Sequence, residues 1–295
     1  MTQEAHSTRA FTESGPGRQG RADIPITRID GSRRSDSFKL DALWGHRELL
    51  YFLVWREFKV RYKQTSIGVA WAIFQPLMLM MVFTFVFSHL ARLPSDGLPY
   101  PIFAYTGLLP WLYFSQAVTR GSNSLVGDAN LLQKVYFPRL LIPLSAVLAP
   151  LVDFFCSFLI LLGMMVWYDI TPAWGLLFVP VFLLVTVLTA FSVSLWLSPL
   201  NVRYRDVIIV VPVLIQVWMY ASPIIYPISL VPEGWRFIYS MNPMAGVIAG
   251  FRWALAGQTT PDILAIGVSL ISVGFLFWGG LAFFRRMEPN FADFV

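Results

Sequence analysis

Residues 67–90 read IGVAWAIFQPLMLMMVFTFVFSHL. None of these positions is Asp, Glu, Lys or Arg, and about 20 consecutive apolar residues is what a helix needs to cross the hydrocarbon core of a bilayer. Working outward, five more stretches read as spans: about 101–122, more polar than the others, then about 140–168, 174–198, 207–222 and 263–284. Pro76, Pro110, Pro143, Pro150, Pro180 and Pro212 fall among them. Membrane helices tolerate proline when neighbours satisfy the freed carbonyl, so kinks are expected. The expected fold is an all-α integral membrane protein with six transmembrane helices.

Composition agrees. Of 295 residues, 56% are hydrophobic and 13% charged, with a mean hydropathy of +0.61. That charged share is roughly half of what a soluble domain carries. Collagen-like, disordered and disulfide-scaffold classes are excluded. The lone Cys156 sits in an apolar run and reads as a buried filler. His6, His46 and His89 are far apart and have no zinc spacing.

The first 40 residues are polar and carry Arg9, Arg18, Arg21, Arg28, Arg33, Arg34 and Lys39 without an apolar core. They read as a disordered cytoplasmic tail, residues 1–44, and not as a cleavable signal. With six spans, all but three of the 22 Lys and Arg fall on the side of the termini; the three are Arg92, Arg236 and Arg252. The bias places both termini in the cytoplasm.

Three segments that do not span carry more information. In HRELLYFLVWREFKVRYK (46–63), Tyr51, Trp55, Phe58 and Tyr62 share one helical face, and Arg56, Lys59 and Lys63 a neighbouring one. This is an amphipathic helix for the headgroup layer, within residues 45–64. In GDANLLQKVYFPR (127–139), Leu131, Leu132, Val135 and Tyr136 fall on one face of a short helix limited by Pro138. Such a face can dock in a partner's groove, or simply belong to a solvated loop. Residues 223–261 hold Pro223, Pro227, Pro232 and Pro243 among apolar residues. Their two short runs, ASPIIYPISLV and NPMAGVIAGFRWALAG, are too short to span and read as re-entrant or surface-lying half-helices, serving as a pore gate or a passive lid.

No catalytic pattern stands out. The chain lacks GxxxxGK[ST] and GxSxG. Asp153 lies within the third span. An intramembrane carboxylate is a functional candidate by default, but one without a base or metal partner reads as a hydrogen-bonded structural residue.

With these stretches in view, the chain resembles the permeases of ABC-type polysaccharide exporters. WREFKVRYKQTSIGVAWAIFQPLMLMMVFTFVF (55–87) is similar to their interface helix and first span. GLLPWLYFSQAVTRGSNSLVGDANLLQKVYFPRLLIPLSAVLA (107–149) is similar to their second span, coupling loop and third span. NVRYRDV (201–207), SPIIYP (222–227), NPMAGVIAGFRWAL (242–255) and the tail FRRMEPNFADFV (284–295) follow in order. Residues 65–295 are then a six-helix permease domain with re-entrant outer half-helices. The resemblance implies that two copies pair with two copies of a separate ATPase subunit, which binds ATP and Mg; this chain itself is neither an enzyme nor a cofactor carrier. It implies export of a lipid-linked polysaccharide such as O antigen, capsule or teichoic acid across the bacterial cytoplasmic membrane. It further implies that Ala129–Arg139, with Leu131, Leu132, Lys134, Val135, Tyr136, Pro138 and Arg139, couples to the ATPase. The segment from Pro223 to Leu255, with Tyr226, Pro227, Asn242, Pro243, Phe251 and Arg252, guards the outer mouth.

Six helices enclose too little room for a hydrated sugar chain, so a channel between two copies is expected. Aromatic rings offer apolar faces to sugar C–H groups without fixing a register. Trp71, Phe74, Trp218 and Tyr220 are the expected lining. A lipid pyrophosphate headgroup needs cations at the entrance, and Arg56, Lys59, Arg61, Lys63, Arg203 and Arg205 lie at that level. Topology alone also puts positive residues there. Membrane lipids are the other expected partner, and nucleic acid is not. A small-molecule ABC exporter, a membrane-embedded glycolipid transferase and a non-transporting scaffold remain alternatives.

Overall fold

The computed structural model describes residues 45–63, 70–134, 137–171, 174–257 and 263–291. The N-terminal tail, Val135 and Tyr136 lie outside the described residues. Helix α1 is Arg47–Tyr62. Helix α2, Ala70–Phe83, runs on as a π-helical stretch, Thr84–Leu90. Helix α3 is Tyr100–Gly127, α4 Ala129–Lys134, α5 Leu141–Leu148 and α6 Leu151–Trp167. After a 3-10 turn at Trp174–Phe178 come α7, Val179–Arg203, and α8, Val207–Tyr220. A 3-10 turn at Ile228–Leu230 precedes α9, Glu233–Ser240, and α10, Pro243–Ala256. Helix α11 is Ile263–Met287.

Among the described residues four helical stretches are long and apolar enough to cross a membrane: Ala70–Leu90, Leu141–Trp167, Trp174–Arg203 and Ile263–Met287. The chain is an all-helical integral membrane protein. The two weaker spans of the sequence reading differ for separate reasons. Helix α3 has 28 residues, about 42 Å at 1.5 Å per residue, which is ample length. It is more polar because it meets protein and not lipid: every residue from Ile102 to Trp111 is buried, so no face is left over. Helix α8 is strongly apolar but has 14 residues, about 21 Å, short of a hydrocarbon core of about 30 Å.

Helix α3 is the axis, with α2, α5, α6, α7, α8 and α10 all packed on it and α11 packed on α7 and α10. Two devices bring helices close. Gly121 on α3 leaves no room for a side chain: a Cβ there would lie 2.6 Å from Ser194 Cβ on α7. Gly280 on α11 abuts the Ser192 carbonyl in the same way. Small residues at such crossings are the membrane solution to helix packing. Buried hydroxyls are then satisfied within their own helix. On α7, Thr186, Thr189, Ser192 and Ser194 donate to the carbonyls of Phe182, Val185, Leu188 and Ala190 at 2.6–2.7 Å.

Proline kinks are satisfied across helices. Pro76 cannot donate to the Ala72 carbonyl four residues back. Ser157 Oγ of α6 donates to that carbonyl at 3.2 Å. Gly257 ends α10 in the left-handed region, φ 63°, where its N–H donates to the Trp253 carbonyl.

Gly121→Ala should overpack the α3–α7 crossing and cost about 1–3 kcal/mol, read as a lower unfolding temperature in detergent. Gly163→Ala, where nothing lies within 4 Å of the new Cβ, is the control and should leave that temperature unchanged.

Candidate functional site

Helix α1 divides its residues cleanly. Leu53 is buried, and Leu49 and Leu50 pack with it on a cluster that contains Leu125, Leu141 and Phe284. Opposite, Tyr51 and Trp55 are exposed, as are Phe52 at the flank and Val60 at the end of the helix. Trp55 stacks on Phe58 at 5.5 Å between centroids, Phe58 meets Tyr62 at 4.7 Å, and Lys59 Nζ sits 5.6 Å from the Trp55 centroid. Lys59 and Lys63 are exposed.

The arginines of α1 behave differently from its lysines. Arg56 pairs with Glu57 at 3.1 Å and with Asp128 at 2.5 Å. Arg61 forms an ion pair with Asp153 on α6 and donates to Gln116 Oε1 on α3 at 3.1 Å. Tyr62 also donates its hydroxyl to Asp153. Burial, and then the Asp153 carboxylate, push the Tyr62 phenol up, so it stays a proton donor. Arg120, one helical turn beyond Gln116, lies in the same field as Arg61, Asp153 and Glu57. Three arginines thus face three carboxylates, and Asp153 has the structural partners its position in the sequence called for. Arg61, expected at a headgroup entrance, is drawn inward because the Asp153 carboxylate, at 6% exposure, needs a cation, while Arg56, expected there too, turns to Asp128 and Glu57 and stays partly exposed. Lys59 and Lys63 remain at the surface, and so do Arg203 and Arg205 across the fold.

In the loop expected to couple, Leu131 and Leu132 are half-buried against the cluster around Leu125 and Phe137, so the apolar face of α4 is turned largely toward its own chain. Asn130 and Lys134 are exposed, and Pro138 is half-buried. Arg139 donates to the Glu288 carbonyl at 2.5 Å and sits 5.8 Å from the Phe291 ring, tying the loop to the C-terminal segment.

The aromatic residues expected to line a channel separate into two kinds. Trp71 and Phe74 are half exposed, with centroids 5.8 Å apart, and Tyr220 is exposed. Trp218 is a brace instead: it packs edge-on against Phe114 and Trp111 and donates from Nε1 to Asn242 Oδ1 at 2.9 Å. The same Asn242 oxygen caps α10 by accepting from Met244 N–H, while its amide donates to the Ala221 carbonyl and Ser222 Oγ. One side chain therefore laces the end of α8 to the start of α10.

Around this lacing, Pro223, Pro227 and Pro243 are buried, and Tyr226 and Tyr239 share a hydroxyl contact at 3.0 Å. Phe251 is fully buried against Phe154 and Phe182 and belongs to the core. Arg252, 8% exposed, places its guanidinium 3.6 Å from the Phe103 centroid and donates to the Ile224 carbonyl at 2.8 Å. Sequence reasoning missed Asp128, Gln116, Arg120 and Phe103 as partners; each stands far in the chain from the residue it meets, and no local pattern marks it.

Among the described residues no group of three or more His, Cys, Asp and Glu could hold a metal. The best-formed crevice, between α2, α3 and α6, is lined by Gln75, Pro76, Gln116, Asp153 and Ser157. What the arrangement offers is a lipid-embedded helical bundle with a charged helix, α1, packed on it and a laced segment between α8 and α10: the class is a helical integral membrane protein. The ABC-2 type transporter family matches residues 48–256, and the chain belongs to it. It is similar to the O-antigen export system permease protein RfbA of Myxococcus xanthus, 29% identical over 86% of this chain and 97% of that protein. An RfbA of Klebsiella pneumoniae is 30% identical over 84% of this chain and 95% of its own length. The polysialic acid transport protein KpsM of Escherichia coli is 24% identical over 79% and 91%.

Asn242→Ala removes four hydrogen bonds and should loosen both ends of the lacing. Amide exchange over residues 221–226 and 242–246 should accelerate by about tenfold or more, while exchange in α7 stays unchanged.

Proposed function

We propose that this chain is the permease subunit of an ATP-driven exporter of lipid-linked polysaccharide, O antigen foremost, across the bacterial cytoplasmic membrane. The observation that carries this reading is similarity to O-antigen export permeases over nearly their whole length. Similarity to a polysialic acid transport protein supports a capsular polymer as the second reading.

In this proposal the chain crosses the membrane six times, with α3 and α8 completing the four long spans, and keeps both termini in the cytoplasm. Two copies form a channel at their interface, and two copies of a separate ATPase supply ATP and Mg. The crevice lined by Gln75, Pro76, Gln116, Asp153 and Ser157 is narrow, and a conduit between copies is the proposed path. The segment 129–139 receives the ATPase, and the exposed Asn130 and Lys134 present it. Lys59, Lys63, Arg203 and Arg205 hold the lipid pyrophosphate at the entrance, where lysine acts as a point charge and arginine as a fork. Trp71, Phe74 and Tyr220 supply stacking faces for the polymer. Residues 223–256, laced through Asn242, form re-entrant elements that part to release it.

Purified with a co-expressed phosphate-loop ATPase in lipid vesicles, the complex should hydrolyse ATP faster when lipid-linked O antigen is added, and free glycan without the lipid should not have this effect. Unstimulated hydrolysis with no export would discard the reading. Asn130→Trp with Lys134→Glu should abolish co-purification of the ATPase. Charge reversal at Lys59 and Lys63 should cut export by about thirtyfold or more, at roughly 1 kcal/mol per charge removed, with the complex still assembled.

A further inference from the structure

Gln75 is the one amide side chain in Ala70–Phe83, a helix otherwise apolar. Among the described residues neither end of that amide has a hydrogen-bond partner. A primary amide inside a bilayer has no water to turn to, so an unpartnered one is costly. Gln75 is half-buried and lines the crevice between α2, α3 and α6. Trp71, one turn before it on the same face, is exposed and lies with its ring 5.8 Å from that of Phe74. Gln116 lines the same crevice from α3. Arg61 can only donate, so the Gln116 oxygen faces it at 3.1 Å, and the Gln116 NH2 group has no partner among the described residues. Ser157 Oγ, also in the wall, donates to the Ala72 carbonyl and keeps its lone pairs for a donor. The crevice therefore presents donors and acceptors together. Its free space, about 10 Å³, is that of about one water-sized group.

We propose that Gln75 and Gln116 form a notch that binds one hydroxyl of a sugar ring stacked on Trp71, which makes the two amides specificity-determining residues for the glycan. This rests on the exporter reading above and names a point where its path grips the polymer by hydrogen bonds. A hydroxyl both donates and accepts, so it satisfies an amide oxygen and an amide NH2 group at once. Volume sets the same limit: the ring stays outside on the indole, and a single hydroxyl enters. A phosphate is too large for the notch and would meet the Asp153 carboxylate in its wall. An acyl chain would leave both amides unpaired. Stacking holds a ring without fixing its position along the path. One hydrogen-bonded notch fixes it there, so the polymer rests wherever a hydroxyl of the right placement reaches the two amides.

The test uses the whole complex, permease with ATPase, in lipid nanodiscs without nucleotide. It measures the binding of two probes: lipid-linked O antigen, and the same lipid pyrophosphate without sugar. Gln75→Met keeps the length of the side chain and removes the amide. It should weaken binding of lipid-linked O antigen by about tenfold, as expected for the loss of one or two hydrogen bonds, and leave binding of the bare lipid pyrophosphate at its wild-type value. Gln116→Glu keeps the oxygen that Arg61 needs, removes the NH2 group and should have the same effect. Equal weakening of both lipids would mark a packing change at the entrance, and unchanged binding of both would mark a crevice that holds water alone; either result overturns the proposal. Should Gln75→Met fail to assemble, Gln116→Glu decides by the same comparison. A wild-type complex that binds neither lipid would mark failure of the exporter reading itself, and the notch would fall with it.

Discussion

The bundle is organised by the close approach of α3 and α7, and that approach depends on what is missing between them. Gly121 gives up its side chain to Ser194, and the buried Thr and Ser side chains of α7 are small and satisfied by their own helix. Lipid tails are as apolar as leucine, so burying leucine against leucine gains little inside a bilayer. What holds the helices is contact made possible by small residues. With that axis set, α3 can be covered on all sides, and the covering helices then meet lipid with Trp, Phe, Leu and Val.

Several other polar groups inside this frame are shared between two elements. The carbonyl that Pro76 frees on α2 is taken up by Ser157 on α6. The Asp153 carboxylate, one turn away, is taken up by Arg61 and Tyr62 from α1. At the other end of the molecule, Asn242 makes three contacts that join the end of α8 to α10, and Arg252 rests on the face of Phe103. In a medium with no water to compensate, each of these pairs is a cross-link as well as a satisfied group.

The helices were largely legible in the sequence, because a long apolar run has few other destinies. The amphipathic division of α1 was legible from its helical spacing, and Asp153 was read as a hydrogen-bonded residue because an isolated intramembrane carboxylate must find partners. What could not be read was direction. Arg56 and Lys59 look alike on a helical projection, yet one turns to Asp128, 72 positions away, and the other stays at the surface over Trp55. Leu131 and Leu132 form the expected apolar face, but a face for a partner and a face for one's own core have the same composition. Trp218 is expected among the channel-lining rings for the same reason; its indole N–H partner, Asn242, is the cap of another helix. Hydropathy locates a residue in the membrane's depth and leaves its rotation about the helix undetermined.

The hydroxyls of α7 have one more consequence. Because Thr186, Thr189, Ser192 and Ser194 bond back into their own turn, those bonds travel with the helix. Between Thr186 and Ser194 the hydroxyls of α7 therefore ask nothing of α3, and the contact there is one of shape, centred on Gly121. The exception is Asn201 near its last turn, whose amide grips the Ser122 carbonyl and Asn123. Any shear between the two helices has its pivot there, and its amplitude grows with distance from that anchored end.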